Sequence, residues 1–532
     1  MISKPAEITF APPVPKWNPL RIAFNGLNEL DPYQTYLGNL DPSVPKETQH
    51  PCIYFSAVEQ WERMKLYAAV LDFEPVAQEF GVERGFDPHI HDEAASSVDR
   101  YAQEREDLLH MPFVTIDPVG SRDLDQAVLI EEIDSGFRVH YAIADVAAFV
   151  EPGSELEKIS LHRGQTIYLP DSPARLHPEE LSEDAASLLE GQTRPAVVWS
   201  IDLDERGEVT ATKVRRGLVK SRARLDYDQA QIDAENGRLH PSISLLPKVG
   251  QLRQESALRR EAVNLSIPSQ RVVKVPNDDA GEHYEIVIEP RPHIMDYNSE
   301  ISLLTGMVAG EMMVKAGHGL LRTLAPATKE SEATFRSEAQ ALGFEIAPEQ
   351  PIGEFLQSVD PNTPKGMAIQ REAQKLLRGS GYASVKNGDS EVHSGVGGYY
   401  AHVTAPLRRL IDRFATEHCL AIASGTDVPE WVTRVEEQVL DTMKYSSILA
   451  SQVDNACLDL TEATVLKYWE GQNFNAVVVA SEPEKNSARL FVYKPPVLAK
   501  CIGAPEQGTN QEVTLVTANL KKREVLFAWP AD

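Results

Sequence analysis

The stretch from Thr115 to Ala127 reads TIDPVGSRDLDQA, and it places Asp117, Asp123 and Asp125 around a Pro-Val-Gly turn. The turn follows FVTID and precedes QAVLIEEI, two short runs whose composition is typical of β-strands. The stretch therefore predicts three carboxylates gathered between two strands. Gathering like charges is costly unless a cation neutralises them. Mg²⁺, which keeps waters and accepts phosphate oxygens, is the usual solution.

The aspartate spacing by itself is weak evidence. A D-x5-D-x-D pattern arises by chance in roughly one chain of this length in ten. A calcium-binding EF-hand needs Gly at the sixth loop position, and counting from Asp117 puts Arg122 there. The spacing disfavours an EF-hand, and other motifs must decide what the acids do.

The surrounding sequence changes from strands to helices. Short β-rich runs bounded by Gly, Pro, Asp and Ser continue between Met111 and Asp204. Helical spacing then predominates in three segments, which are Ser299 to Leu321, Pro406 to Ala423 and Val432 to Trp469. Strands first and helices later predict an α+β domain.

A second chemical cluster, GVGGYYAHVTAPLRRLIDR, runs from Gly395 to Arg413. Pro406 is predicted to open a helix at its first position, with Arg408 and Arg409 in the first turn. Cations there oppose the helix dipole, so an anionic partner would relieve the conflict. The alternative is an ion pair with Asp412 or another carboxylate.

The tail from Ala463 to Asp532 contains closely spaced strands and predicts a five-stranded barrel. Its net charge is about +1, from eight Lys and Arg against seven Asp and Glu, whereas the rest of the chain carries about −28. Aromatic residues lie among the bases, at Phe474, Phe491, Tyr493 and Phe527. This favours an oligonucleotide-binding (OB) barrel, and the alternative is a structural module whose aromatics form its core.

The N-terminal part is harder to interpret. Met1 to about His50 shows no sustained periodicity and predicts irregular structure, and Ala57 to Gly81 has helical spacing. The run PVAQEFGV fits either the first half of an RNA-binding, winged-helix-like helix-turn-helix or a plain helical hairpin. Pro88, in the segment that would form the recognition helix, argues against the first of these.

The charge and the cysteine content of the chain limit its binding partners and its cellular compartment. The 532 residues carry a net charge of −27, which argues against indiscriminate coating of nucleic acid or anionic lipid. Cys52, Cys419, Cys457 and Cys501 are too widely spaced for a metal knuckle or a disulfide framework. Because the chain has no long apolar run, we expect a cytoplasmic protein that neither spans nor binds a membrane. We expect a monomer, and no protein partner can be inferred from the sequence.

Five ordered motifs now carry a resemblance. TIDPVGSRDLDQA, HYAIADVAAFV, RGQTIYLPD, HPEELSEDAASLLEG and YYAHVTAPLRRLID resemble the catalytic (RNB) domain of the ribonuclease II / ribonuclease R family of 3′-to-5′ exoribonucleases. The resemblance covers about Met111 to Gly425. The C-terminal barrel is similar to the family's OB-fold RNA-binding domain. The N-terminus departs, because the family's members usually begin with cold-shock barrels and Met1 to Glu104 shows no such pattern.

The resemblance implies hydrolysis of single-stranded RNA from its 3′ end, assisted by Mg²⁺ or alternatively Mn²⁺, with release of nucleoside 5′-monophosphates. Asp117, Asp123 and Asp125 match the metal-binding and catalytic aspartates. Arg408 matches the arginine that holds the scissile phosphate, and it is therefore a catalytic candidate. Arg408 and its neighbour Arg409 are both candidates for binding the substrate. Tyr168 matches the aromatic residue that packs on the terminal nucleotide, and a core tyrosine is the alternative.

One position departs from the family pattern. Where a fourth aspartate normally completes D-x-D-D, this chain has Gln126, whose neutral carbonyl implies a weaker or differently shared metal site. A glutamate that the family carries near the RNA end has no assigned match in YSSILASQVDNACLDLTEA. A non-catalytic RNA-binding or regulatory protein that keeps the fold is therefore the alternative function.

Another hypothesis is a metallohydrolase that uses His89, His91, Asp92 and Glu93, since two His at i and i+2 of a strand can share a metal; a polar turn is the simpler interpretation.

The sequence predicts three domains. Residues 1–110 form an N-terminal, partly helical RNA-binding region, residues 111–462 form the RNB domain with trailing helices, and residues 463–532 form the OB-fold domain.

Overall fold

A computed structural model describes residues 66–68, 71–263, 265, 269–275, 283–289, 292–361, 363–377, 379–385, 390–493 and 496–531. All of them belong to the unit Val58–Asp532. The irregular structure predicted for Met1 to His50 lies outside the described residues.

The first described elements differ from the predicted helix over Ala57 to Gly81. Strand β1 (Leu66–Ala68) pairs antiparallel with β12 (His283–Glu289), so this part of the prediction was wrong. Two short helices follow, α1 (Glu74–Glu79) and α2 (Pro88–Ser96), and both have proline in the first turn. Proline costs little there because the first amides of a helix have no intrahelical partner. Pro88 therefore begins α2 and is no obstacle to a helix in this segment.

A five-stranded sheet forms the centre of the molecule in the order β2-β9-β8-β5-β4. Its strands are β2 (Glu106–Asp107), β4 (Gln126–Ile133), β5 (Gly136–Ala144), β8 (Thr193–Leu203) and β9 (Val209–Lys220). All neighbours are antiparallel except β2 and β9.

Both faces of this sheet are buried. Val128, Ile130 and Tyr141 pack into one core cluster, whereas Leu129 and Ala142 pack into another. Side chains alternate between the faces of a strand, so a nearly continuous apolar run is what a sheet covered on both sides requires. The strand runs predicted between Met111 and Asp204 are confirmed.

Smaller ladders surround the sheet. Strand β3 (Thr115–Asp117) pairs parallel with β10 (Arg224–Asp226), and β6 (Ile167–Tyr168) pairs with β7 (Pro173–Ala174). The remaining ladders are β11 (Ser269–Val275) with β12, and β13 (Leu320–Thr323) with β14 (Gly381–Ser384).

One helix, α3 (Glu155–Arg163), precedes β6, and helices predominate from Tyr227 to Leu466. The later helices are α4 (Tyr227–Glu235), α5 (Leu246–Arg259), α6 (His293–Ala316), α7 (Lys329–Ala341), α8 (Ile352–Ser358), α9 (Pro364–Ala373), α10 (Leu410–Ser424), α11 (Glu430–Thr433) and α12 (Glu436–Leu466). Short 3₁₀ turns lie at Ala102–Glu104, Val146–Ala148, Pro241–Ile243, Gln374–Leu377, Lys467–Trp469 and Pro483–Lys485, and a π-helical turn lies at Leu181–Ala185. The three helical segments predicted from periodicity are thus present with shifted ends, and α6 ends at Gly317 in the left-handed conformation that glycine favours.

The C-terminal strands close into a five-stranded barrel in the order β15-β16-β17-β19-β18. They are β15 (Asn473–Glu482), β16 (Ser487–Tyr493), β17 (Pro496–Ile502), β18 (Asn510–Asn519) and β19 (Glu524–Ala528). The predicted α+β fold with a C-terminal barrel is confirmed.

Candidate active site

The acid-rich turn between β3 and β4 is held by a neighbouring serine. Ser187 Oγ accepts a hydrogen bond from the amide of Leu124 at 3.0 Å and donates one to the carbonyl oxygen of Arg122 at 2.7 Å. Gly120 provides a φ of +91° in the turn, a conformation that other residues rarely adopt. These contacts fix the path of the chain between Asp117 and Asp125.

The predicted site residues line one cavity of about 1090 Å³, namely Asp117, Asp123, Asp125, Gln126, Tyr168, Arg408 and Arg409. They come from three separate parts of the chain, and the fold brings all of them together. Because both carboxylates and arginines line the cavity, it suits a ligand that carries phosphate together with a cation.

Asp125 is the most buried of the acids, with 2% of its surface exposed. Its Oδ1 accepts the Leu407 amide at 2.8 Å, and its Oδ2 lies 3.4 Å from Arg408 Nε. Burial raises the pKa of Asp125 to about 8, although Arg408 and the Leu407 amide both act to lower it. The carboxylate is therefore held at a fixed place while its negative charge is only partly compensated.

Asp117 ends β3 and is the second strongly perturbed acid. Burial, followed by the charge of Asp123, raises the pKa of Asp117 to about 7. Its Oδ2 is buried and has no hydrogen-bond partner among the described residues. A buried, unpartnered oxygen beside further acids is the environment that a bound cation would stabilise.

These acids fit a divalent cation by the chemistry of their donors. Within the described part of the chain, no three His, Cys, Asp or Glu side chains already converge on one point. Mg²⁺ suits such an open arrangement, because one or two carboxylates hold it while waters and substrate phosphate oxygens complete its coordination.

The segment from Thr404 to Arg409 corrects one prediction. Pro406 does not open a helix; α10 begins at Leu410, and Arg409 precedes it with extended dihedral angles of −144° and 116°. The helix starts late because the main chain on both sides of Arg409 pairs with another segment: the Thr166 amide donates to the carbonyl oxygen of Arg408, and the Leu410 amide donates to that of Gly164, both at 2.9 Å. The two arginines thus lie in the turn before the helix.

The two arginines have different partners. Arg409 binds Asp412 through two hydrogen bonds, from Nε to Oδ2 at 2.6 Å and from Nη2 to Oδ1 at 2.8 Å. The ion-pair alternative is therefore correct for Arg409. Arg408 keeps about half of its side chain exposed, and its Nε lies 3.4 Å from Asp125 Oδ2, so the exposed part of its guanidinium is available to a ligand.

Tyr168 lies beside Asp123 and Arg408. Half of it, 51%, is exposed, and its hydroxyl donates to Asp123 Oδ2 at 3.3 Å. Thr166, two positions earlier in the chain, donates its amide to the carbonyl oxygen of Arg408 at 2.9 Å. Tyr168 is therefore a cavity residue, and the core-tyrosine alternative was wrong.

Gln126 begins β4 and contacts the turn before α10. Its Nε2 donates to the carbonyl oxygen of Thr404 at 2.5 Å. Since that carbonyl can only accept, the amide nitrogen must face it, and the amide oxygen is the atom left for other ligands.

Several residues of this cavity had no role predicted from the sequence. Asp454, on α12, lines it in the segment where no acid could be assigned, and burial raises the pKa of Asp454. Thr404, Arg260 and Glu300 line it as well. Helical periodicity alone could not have shown which face of α12 meets the cavity.

The metallohydrolase hypothesis loses its premise. His89 and His91 lie on helix α2, where residues two positions apart point in different directions. His91 Nδ1 lies 2.9 Å from Glu180, outside the cavity.

The barrel has fewer aromatic and basic side chains free to bind a ligand than its sequence indicated. Phe491 and Phe527 are fully buried, Phe491 among apolar residues of α7 to α9. Arg489 forms an ion pair with Glu372 of α9. Two of the four aromatics and one of the bases are thus structural, whereas Lys521 and Lys522 in the turn between β18 and β19 are exposed.

Comparison with known proteins identifies the family to which the catalytic-site domain and the barrel belong. The RNB domain family matches residues 105–418, more than half of the chain. The chain belongs to the RNB family. The C-terminal S1 domain of RNase II-type exonucleases matches residues 472–529, which is the barrel. The predicted family membership is confirmed.

RNB proteins from bacteria are among its curated relatives. Exoribonuclease 2 of Psychromonas ingrahamii is 28% identical over 385 residues, covering 66% of this chain and 57% of that protein. Ribonuclease R of Chlamydia trachomatis is 24% identical over 434 residues, covering 78% and 61%. The chain thus spans about three fifths of the length of these two relatives.

Solved structures share the fold. RNase R of Mycoplasma genitalium, in complex with ribose methylated single-stranded RNA, superposes with a TM-score of 0.75 over 86% of this chain and 77% of that one, at 19% identity. Yeast Ssd1, a pseudonuclease, superposes with a TM-score of 0.63 at 14% identity, over 81% and 55%. The RNB fold therefore occurs with and without nuclease activity, and the site must decide between them.

Proposed function

We propose that this protein is an exoribonuclease that degrades single-stranded RNA from its 3′ end by metal-assisted hydrolysis and releases nucleoside 5′-monophosphates. The observation that carries the proposal is the position of Asp125 between the Leu407 amide and Arg408, in one cavity with Asp117 and Asp123. A protein that only bound RNA would have no need for buried, partly uncompensated carboxylates beside a phosphate-binding arginine.

In this proposal Asp117, Asp123 and Asp125 would supply the carboxylate ligands and Gln126 an amide oxygen, while waters and substrate phosphate oxygens would complete the coordination. Mg²⁺, or Mn²⁺ in its place, would stabilise negative charge on the phosphate and activate a water molecule. Membership of the RNB family supports dependence on a divalent metal in general.

Arg408 would bind the scissile phosphate through its free guanidinium donors and stabilise the charge that develops during hydrolysis. The half-exposed ring of Tyr168 would pack against the terminal base. The hydrogen bond from Thr166 to Arg408 keeps these two ligand-binding residues at a fixed separation.

We also propose that the domains divide at about residues 110 and 462.

We further propose that the protein acts on RNA as a cytoplasmic monomer. The described residues contain no helix with the length and apolar character needed to cross a bilayer. Their three cysteines, Cys419, Cys457 and Cys501, are free thiols, which fits a reducing compartment.

A second candidate function is an RNB-fold protein that binds RNA without cleaving it. The observation that favours it is Gln126, which replaces an acid and hydrogen-bonds to Thr404. Three acids and Arg408 remain in the cavity, so we rank cleavage first.

The deciding experiment uses single-stranded RNA labelled at its 5′ end, incubated with Mg²⁺ or Mn²⁺. The proposal expects a ladder of products shortened from the 3′ end, and no ladder with Asp125→Asn. The matched control is Asp134→Asn, the same change at an exposed acid in the turn between β4 and β5. RNA binding by the wild type without shortening in either metal would establish the second candidate instead.

A further inference from the structure

The turn from Thr404 to Leu410, which carries Arg408, is tied down along its main chain. Gln126 binds the carbonyl oxygen of Thr404, and the Thr166 amide binds the carbonyl oxygen of Arg408. The Leu410 amide donates to the carbonyl oxygen of Gly164 at 2.9 Å. Such a turn can present a side chain with little conformational freedom.

Asp412 holds the centre of this turn although it lies in the first helical turn of α10. It is 0% exposed. Its Oδ1 accepts both the Ala405 amide and Arg409 Nη2, and its Oδ2 accepts Arg409 Nε. One buried carboxylate thus binds residues on both sides of Leu407 and Arg408, the two residues that contact Asp125.

The guanidinium of Arg409 is already paired with Asp412. Burial lowers the pKa of Arg409, but Asp412 outweighs that effect and raises the pKa above its ordinary value. Only 22% of the Arg409 side chain is exposed, against 49% for Arg408. A substrate phosphate would have to compete with a two-point ion pair that is already formed.

We infer that Asp412 and Arg409 form a positioning pair that holds the Leu407 amide and Arg408 against Asp125, and that Arg409 does not bind the substrate directly. This inference rests on the proposed function, and it replaces the expectation from sequence that Arg409 is a substrate-binding residue. The pair acts through the turn, so its loss changes the rate of the reaction more than the affinity for RNA.

The kinetic test compares Asp412→Asn, Arg409→Ala and Arg409→Lys with the wild type. Asp412→Asn keeps an oxygen for the Ala405 amide but loses the ion pair. We expect it to lower kcat tenfold or more while KM stays within threefold. Arg409→Ala should behave in the same way, and Arg409→Lys should recover part of the lost kcat because lysine can still pair with Asp412.

The matched control is Glu155→Gln, the same kind of change in the exposed i, i+3 pair of Glu155 and Lys158 at the start of α3. It should leave kcat unchanged. A kcat within twofold of wild type for Asp412→Asn would overturn the inference. So would a tenfold rise in KM for Arg409→Ala at unchanged kcat, because that result means direct RNA binding.

A measurement without RNA separates this inference from the proposed function. Amide hydrogen exchange in peptides spanning 404–410 should be at least tenfold faster in folded Asp412→Asn than in wild type, and unchanged in Glu155→Gln. If the wild type cleaves no RNA, the proposed function fails, yet this exchange still decides whether Asp412 orders the turn. Equal exchange in wild type and Asp412→Asn would contradict the positioning role.

Discussion

Gln126 Nε2 donates a hydrogen bond to the carbonyl oxygen of Thr404 across 278 positions of sequence. This contact joins the first residue of β4 to the turn that carries Arg408, and Asp125 makes a second connection through the Leu407 amide. Gln126 thus also links the two halves of the site.

Replacing Gln126 with Asp should have two opposing effects. An added carboxylate beside Asp125 should lower the Mg²⁺ concentration for half-maximal cleavage, because the ion interacts with every acid of the cluster. Loss of the bond to Thr404, together with carboxylate repulsion, should lower the free energy of unfolding without metal by about 1 kcal/mol or more.

Gln126→Asn is the control for this pair of effects, since it has the length of aspartate without the charge. Magnesium titrations of cleavage and urea unfolding of all three proteins separate the two effects. A midpoint for Gln126→Asp equal to that of Gln126→Asn would show that position 126 does not face the metal.

The buried acids predict how pH affects the metal-free protein. The folded-state pKa is about 8 for Asp125 and about 7 for Asp117, both above the ordinary value near 4. Between these values the folded state binds more protons than the unfolded state, so stability falls as pH rises from about 4 to 8. Thermal unfolding with a chelator present should show a smaller decline for Asp125→Asn, and an equal decline would mean that Asp125 is not perturbed.

Arg408→Ala should reduce cleavage about a hundredfold, or by about 3 kcal/mol in the transition state, which is typical for one preorganised donor. Arg408→Lys should recover only part of the rate, because an ammonium group lacks the two-point geometry. Single-turnover rates at saturating RNA measure this effect. A loss of only severalfold in the alanine variant would assign Arg408 mainly to neutralising Asp125.

The barrel prediction follows from its packing. Because Phe491 and Arg489 bind α7 to α9, deleting the barrel would expose core, and exposed bases provide a better test. Lys521→Ala with Lys522→Ala should weaken RNA binding and reduce the salt dependence by roughly one to two counterions. Lys315→Ala, at an exposed lysine of α6, is the control. An unchanged salt slope for the double variant would limit the barrel to a structural role.

The sequence predicted the elements better than their contacts. Strand runs such as QAVLIEEI and the helix carrying Asp454 follow from local periodicity. The turn before α10 could not be predicted, because its carbonyl oxygen at Arg408 and its amide at Leu410 pair with Thr166 and Gly164, which lie far away in the sequence. The two interpretations of the barrel's aromatic residues stayed open for a similar reason, since only the packing of α7 to α9 shows that Phe491 is core.

The most direct test of the proposed activity follows the first product released from RNA labelled at its 3′-terminal nucleotide. With Mg²⁺ or Mn²⁺, the wild type should release the label at once as a nucleoside 5′-monophosphate, and Asp125→Asn should release none while still binding the RNA. Release of labelled oligonucleotides, or near wild-type release by Asp125→Asn, would contradict a 3′-to-5′ exonuclease centred on Asp125.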